Sequence, residues 1–478
     1  MLPRALLDEL RCPYCGGGLA LAAEVRGEGA GVSDGIVRCA CGESPVLEGT
    51  LWLNKRVDGH IMGDPPAVAA ALARLREGDA EGAMVEALLD AARHPLRRAA
   101  TGLGRAGVRA PALLGPVKRW VRDRIVRDRT LTFARAVYLL RNRPYADYLY
   151  QRFANPSLMS AIPLILLLSG VAGGQRAGGQ GTGGRGTGEP KTARPWHPRV
   201  VEIGGGAGHA AFLMGRYFPG LEVVLTDGDF SNLFMAGRYL APGSVRICLD
   251  AEAPLPFADG SADALFSMDA FHYMRSKVAV AREMRRVAKA DALWLLPHLH
   301  NALGWNPSAG YPLAPGEYLR VFAPLGVRLW PQGEVLERFA REQAVDLSRA
   351  AEPGALEKAD ALAMVAGPES LWRRHELAEG YFRLGPDLGL NPLLRRAADG
   401  AGDARGASGL YRPEWPSEEL RAECLDGAGV IPASVRVDPG LIARLGKAPL
   451  GEAEAAEVRG LMRTFSLVPL PGAYGEAG

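Results

Sequence analysis

Apolar residues recur along this chain with two different periods, and the change from one to the other divides it. Between 66 and 168, AVAAALARLREG, AMVEALLDAARH and LTFARAVYLL space their apolar residues three and four apart with few β-branched positions, which predicts helices. Beyond about 198, short apolar runs alternate with amphipathic stretches. RVVEI, LEVVLT, SVRIC, DALFSM and DALWLL read as strands, separated by helix-like AAFLMGRYF, NLFMAGRYL and KVAVAREMRRVAK. Repeated units of this length predict an α/β fold with a doubly wound, mostly parallel sheet, seven-stranded once GVRLWP and DALAMVAG are added. Residues 1–57 read instead as a ribbon, with Gly-rich turns between runs such as LALAAEV and SPVLEGTLWL.

Ten glycines between 170 and 188 cannot repay ordering entropy, so 169–197 is expected to be a flexible linker. The expected organisation is therefore a ribbon (1–57), a helical region (66–168), the linker, an α/β domain (198–367) and a C-terminal extension (368–478) without a recognisable motif. The most apolar run, 158–173, is shorter than the roughly 20 residues of a bilayer span and contains Pro163, so it predicts a buried helix and no membrane span. An Arg and acids interrupt the N-terminal MLPRALLDELRCPYC where a secretory signal needs an apolar core, and a cytoplasmic protein is expected.

With 48% hydrophobic residues the 478-residue chain can bury sizeable cores, which excludes disorder throughout. The net charge of +3 conceals a local excess, because fourteen Lys or Arg face only Asp123 and Asp128 between Arg93 and Arg143. KRWVRDRIVRDR, with arginines on one side and Trp120 with aliphatics on another, is either a grip for RNA or an anionic substrate or a solvated face packed on the α/β domain.

Four of the six cysteines lie in the first 41 positions, as Cys12-Pro-Tyr-Cys15 and Cys39-Ala-Cys41, each knuckle followed by glycine. That arrangement predicts a tetrahedral thiolate set, Cys12, Cys15, Cys39 and Cys41, holding structural Zn2+ with no open position. Together with DELRCP and the closing SPVLEGTLWL, it resembles the zinc-ribbon family of small proteins that activate tRNA and protein methyltransferases.

VVEIGGGAGHAAFL, residues 200–213, is a strand ending in a glycine turn that opens a helix, which lets backbone approach a ligand closely. Gly206, Gly208 and Ala211 also satisfy a dinucleotide fingerprint, so a nicotinamide-type oxidoreductase, or a scaffold with a vestigial loop, stays open at this point. Glu202 with Gly204, Gly206 and Gly208 resembles the first motif of class I S-adenosylmethionine-dependent methyltransferases. LDAEAPLPFADGSADALFSMDAFHYM (249–274) and REMRRVAKADALWLL (282–296) resemble the later motifs of the type 11 family within that class, although Ala290-Asp291 replaces the usual turn. The resemblance implies a Rossmann-like fold that binds S-adenosyl-L-methionine through Glu202, Gly204, Gly206, Gly208, Asp227 at the ribose, Asp250 at the adenine, and Ala251 and Ser267 nearby. Acceptor-side groups then follow strands four and five, which nominates His272 as base with Asp269 and His298 beside it. His272, His298, His300 and Asp269 are alternatively a metal set, and His209 is expected at the loop or the methionyl end. The aromatic and amide-rich loop after residue 298 favours a small-molecule acceptor, with RNA as the alternative through 93–143.

Overall fold

The computed structural model describes residues 1–54, 65–89, 110–173, 197–306, 310–397, 409–423, 429–445, 447 and 449–475. The expected linker falls almost wholly, and the first part of the basic segment wholly, outside them.

All the strands expected after 198 form. They are β6 (Arg199–Ile203), β7 (Glu222–Asp227), β8 (Val245–Cys248), β9 (Ala262–Phe266), β10 (Ala288–His300), β11 (Arg328–Pro331) and β12 (Ala361–Ala366). Their order is β8-β7-β6-β9-β10-β12-β11, parallel except for β12, which runs antiparallel to both of its neighbours. Each strand is buried on both faces, which explains the nearly continuous apolar runs. Alternation is still visible in which core each residue joins: Val200 packs into one and Val201 and Ile203 into the other.

The expectation of a seven-stranded sheet needs correcting, because the sheet is mixed and has twelve strands. The ribbon contributes β1 (Leu2–Pro3), β2 (Ala20–Glu28), β3 (Gly31–Cys39), β4 (Gly42–Leu47) and β5 (Thr50–Trp52), and β5 pairs in parallel with β8 through Thr50–Arg246, Leu51–Ile247 and Trp52–Cys248. An apolar edge at β8 would leave a row of unpaired N–H and C=O groups, and the ribbon covers it. Arg246 fastens the join: its fully buried guanidinium donates to Thr50 Oγ1 (3.2 Å), Glu48 O (2.8 Å) and Ser244 O (2.8 Å). Burial alone pulls that cation down to about 10.

The helical region forms one layer on the Glu202 face. Its apolar helix Pro156–Leu166 is buried at every position and packs on β10 and on the helices His209–Tyr217 and Gln332–Glu342. No single described helix is long and apolar enough to cross a membrane. In the basic segment, Lys118 pairs with Glu86 (2.6 Å), Arg127 with Glu81 (2.7 Å), Arg122 with Asp79 (3.5 Å) and Arg129 with Glu48 (3.5 Å). These pairs link the helices to one another and to the ribbon.

The C-terminal extension returns to this layer. Phe133 N–H donates to Ala473 O (2.7 Å) and Ala134 N–H to Tyr474 O (3.0 Å), while the Tyr474 hydroxyl donates to Tyr150 O and its ring stacks on Tyr150 at 5.0 Å. It thereby holds the helix Arg143–Gln151 in place.

Candidate active site

The strand order reverses direction between β6 and β9, and the carboxyl ends there open the crevice where ligands of doubly wound sheets bind. Two groups of side chains meet in it.

The first follows β6 and β7. Gly204 has φ +71°, and a Cβ there would meet Ala270 Cβ at 2.5 Å; Gly206 has φ +56° and nothing within 4 Å of where its Cβ would be, an open cradle. Gly206 N–H donates to Asp227 Oδ2 (2.9 Å) and Asp229 N–H to Asp227 Oδ1 (2.8 Å), so the acid closing β7 locks the glycine turn. Glu202 is buried with Oε2 lacking a hydrogen-bond partner. Burial, reinforced by Asp227, pushes its carboxyl up to about 8; burial and Asp229 push Asp227 up to about 6. A buried acid raised this far by its surroundings, in a crevice, marks a candidate ligand contact. Asp250, 3% exposed, accepts from Glu252 N–H (2.9 Å), and Ala251 beside it is half-buried. Ser267 is fully buried and donates to Ile203 O (2.9 Å), so its hydroxyl ties β9 to β6.

The second group gathers around Asp269. Its Oδ2 pairs with Arg152 Nη1 (2.8 Å) and accepts from the Tyr148 hydroxyl (2.6 Å). Its Oδ1 lies 3.1 Å from His300 Nε2, 3.7 Å from His298 Nε2 and 3.9 Å from His272 Nε2. Burial by itself would raise this carboxyl, but the Arg152 guanidinium, then His298 and His300, hold it well below the usual range. His298 Nδ1–H donates to Gln332 Oε1 (3.0 Å), and His300 Nδ1 pairs with the Asn306 amide nitrogen. Burial pushes His298 down to about 4 and His272 well below its ordinary value. Asp269 and His298 both sit at positive φ, +54° and +57°, outside the comfortable range for their residue types.

Above both groups runs a ladder that sequence reasoning missed. Arg141 pairs with Asp229 and with Asn232 Oδ1 (2.6 Å), and lies over the Tyr145 ring at 5.2 Å. Tyr145 stacks on Tyr148 at 6.0 Å, and Arg152 lies over Tyr148 at 4.8 Å. The helix Arg143–Gln151, with Arg141 before it and Arg152 just after it, thus spans from the acids after β7 to the acid after β9. The spacing of three between Tyr145 and Tyr148 within the helix is the signal that would have revealed part of it.

His272, nominated as base, is enclosed, with neither ring nitrogen hydrogen-bonded, and stacks on His300 at 3.7 Å and 12°. Asn301, just past β10, donates to Leu356 O and Ala359 O. His209 does not face the loop: its Nε2 pairs with Leu149 O (2.9 Å) amid Phe133 and Phe153. At the other end of the molecule, the four ribbon thiols converge as expected, all within 4.8 Å of one another, with Cys12–Cys41 at 3.5 Å and Cys39–Cys41 at 3.3 Å. Cys248 packs in the core, and Cys424 lies outside the described residues.

Residues 201–296, from β6 to β10, match the family model described as a methyltransferase domain. The segment is a methyltransferase domain and the chain an enzyme of that class. Among solved structures, the chain is similar to the YcgJ protein of Bacillus subtilis, at 19% identity over 36% of this chain and 93% of that one with a TM-score of 0.25. It is also similar to geranyl diphosphate C-methyltransferase from Streptomyces coelicolor A3(2), at 14% identity over 36% and 70% with a TM-score of 0.27. A third is phosphoethanolamine N-methyltransferase 2 of Haemonchus contortus, at 15% identity over 37% and 50% with a TM-score of 0.27. No curated protein matches the chain.

Proposed function

We propose that this chain transfers the methyl group of S-adenosyl-L-methionine to a small-molecule acceptor held beside Asp269. The carrying observation is the enclosure of that cluster: Asp269, His272, His298 and His300 side chains are each 6% exposed or less beneath the Tyr148 and Arg152 face. So enclosed a group suits a small molecule better than the surface of a folded RNA or protein, which would have to extrude a base or a side chain to reach it.

The residues present fit the cofactor. The open cradle at Gly206 admits it, the orphaned Glu202 Oε2 offers an acceptor, and Asp227 and Asp250 supply carboxylates for its ribose and adenine ends. When bound, the cofactor supplies a methyl carbon activated by its sulfonium. This chain's residues then orient: Glu202 and Asp227 hold one side, Asp269 and its histidines hold the acceptor, and the Tyr148–Arg152 face excludes water. Positioning of this kind contributes a large share of the rate in bimolecular transfers.

The ribbon thiols support the structural Zn2+ reading. The Gly17 N–H pulls Cys15 down to about 6, favouring the thiolate that a metal needs. Their mutual distances suit an ion with bonds of about 2.3 Å to sulfur.

Incubation with methyl-labelled cofactor and a cell extract, followed by mass spectrometry, tests the reading. The expected result is label in the small-molecule fraction. Label recovered only in RNA or protein would overturn the small-molecule acceptor, and no cofactor turnover would overturn the activity.

A further inference from the structure

Asp269, His298 and His300 have features that holding an acceptor by hydrogen bonds alone does not require. Their ligating atoms lie within 4.8 Å of one another. The two histidine Nε2 atoms stand 3.1 and 3.7 Å from Asp269 Oδ1. An ion with bonds of about 2.0–2.2 Å to nitrogen and oxygen separates neighbouring ligand atoms by about 3–3.6 Å. The donors are therefore already near the spacing they would have around one.

Each donor is also held from behind. Gln332 Oε1 takes His298 Nδ1 at 3.0 Å, leaving Nε2 buried without a hydrogen-bond partner. The Asn306 Nδ2–H donates to His300 Nδ1 and fixes the direction of that ring, so an ion would displace the proton that His300 Nε2 shares with Asp269 Oδ1. Arg152 and Tyr148 occupy Asp269 Oδ2 at 2.8 and 2.6 Å and leave Oδ1 turned toward the imidazoles. Ligating histidines and carboxylates characteristically carry such outer partners, which fix tautomer and direction. His272 closes the flank by stacking on His300 at 3.7 Å.

We propose that Asp269, His298 and His300 form a binding site for one divalent transition-metal ion, whose open positions take a coordinating hydroxyl or thiol of the methyl acceptor. Two imidazoles and one carboxylate suit zinc, iron(II), manganese or cobalt, and three protein ligands leave positions free. The second half of this statement rests on the methyltransferase reading; the metal site itself does not. The methyl carbon leaves the sulfonium sulfur, which keeps the C–S electron pair, and bonds to the acceptor atom, whose proton passes to water.

Chelator-treated protein is dialysed against cobalt(II), and bound metal is counted by mass spectrometry alongside the visible spectrum. Two equivalents are expected, one showing thiolate-to-cobalt charge transfer and one without it. His298→Ala and His300→Ala should each weaken the second by at least about 100-fold while keeping the thiolate band and cofactor binding by calorimetry, which report an intact fold. A wild type holding only the thiolate-bound equivalent overturns the proposal. So does a second equivalent that persists unchanged in both variants. Failure of cofactor binding in the wild type would instead strike the methyltransferase reading, so the two outcomes are distinguishable.

Discussion

The two halves of the crevice are built in opposite ways. The glycine-loop half is local: Glu202, Gly204, Gly206, Gly208 and Asp227 lie within one β-α-β unit, and the hydrogen bond from Gly206 to Asp227 joins strand ends that are neighbours in the sheet. The Asp269 half is assembled from far-apart pieces: Tyr148 and Arg152 from the helical layer, Asp269 and His272 after β9, His298 and His300 at the irregular end of β10, and Gln332 from the helix after β11. Backbone geometry carries the first half, so a short motif suffices to encode it. The second depends on buried charge balance across the chain, so no single stretch of sequence announces it.

This contrast can be broken most severely at Arg152. Arg152→Ala removes the guanidinium paired with buried Asp269 and leaves it only the Tyr148 hydroxyl and the imidazoles, and a loss of about 3–5 kcal/mol in unfolding free energy is expected by denaturant titration. Adding Asp269→Asn should restore most of that stability without restoring turnover. If the single variant were as stable as wild type, the cluster would not be a coupled buried unit.

Asp227→Ala addresses the local half. It removes the acceptor of Gly206 and Asp229 N–H, and cofactor affinity should fall by tens- to a hundredfold, at about 1.5–3 kcal/mol per charged hydrogen bond. Calorimetry with the cofactor would show it, while thermal unfolding should change less than in Arg152→Ala.

Glu202→Gln sharpens the comparison through pH. The folded chain holds the Glu202 proton up to about 8, against an ordinary value of 4.5, so it binds protons more tightly than the unfolded chain between those values. The wild type should therefore lose stability from this group as pH rises from about 4.5 to 8, by a few kcal/mol at most. The glutamine variant escapes that loss, so unfolding at pH 8 should favour the variant and unfolding at pH 4 should not distinguish it. Cofactor binding should nonetheless weaken in the variant. Equal stability differences at both pH values would refute the assignment.

The smallest effect is expected at Arg129→Ala, which removes an exposed pair 3.5 Å from Glu48 and should change stability by less than about 1 kcal/mol, with no change in cofactor affinity.

Short apolar runs located every strand of the methyltransferase segment and the period-3.6 pattern located helices of the preceding layer, because burial on both faces of a parallel sheet writes itself directly into apolar runs. The glycine loop was legible for the same reason, since tight turns leave few alternatives at Gly204 and Gly206. His209 misled because its position after the loop says nothing about which way its ring turns. Phe133 and Phe153, remote in sequence, decide that.

By itself, then, the sequence determined local matters: which segments extend or coil, where the chain turns sharply, which cysteines can share an ion. Tertiary structure alone decided that β5 closes the edge at β8 and makes one sheet of twelve strands, and that Arg152 rather than water faces Asp269. The reason is physical. Edge pairing and buried charge compensation depend on what else approaches a surface, and that is set by the whole fold rather than by neighbours along the chain.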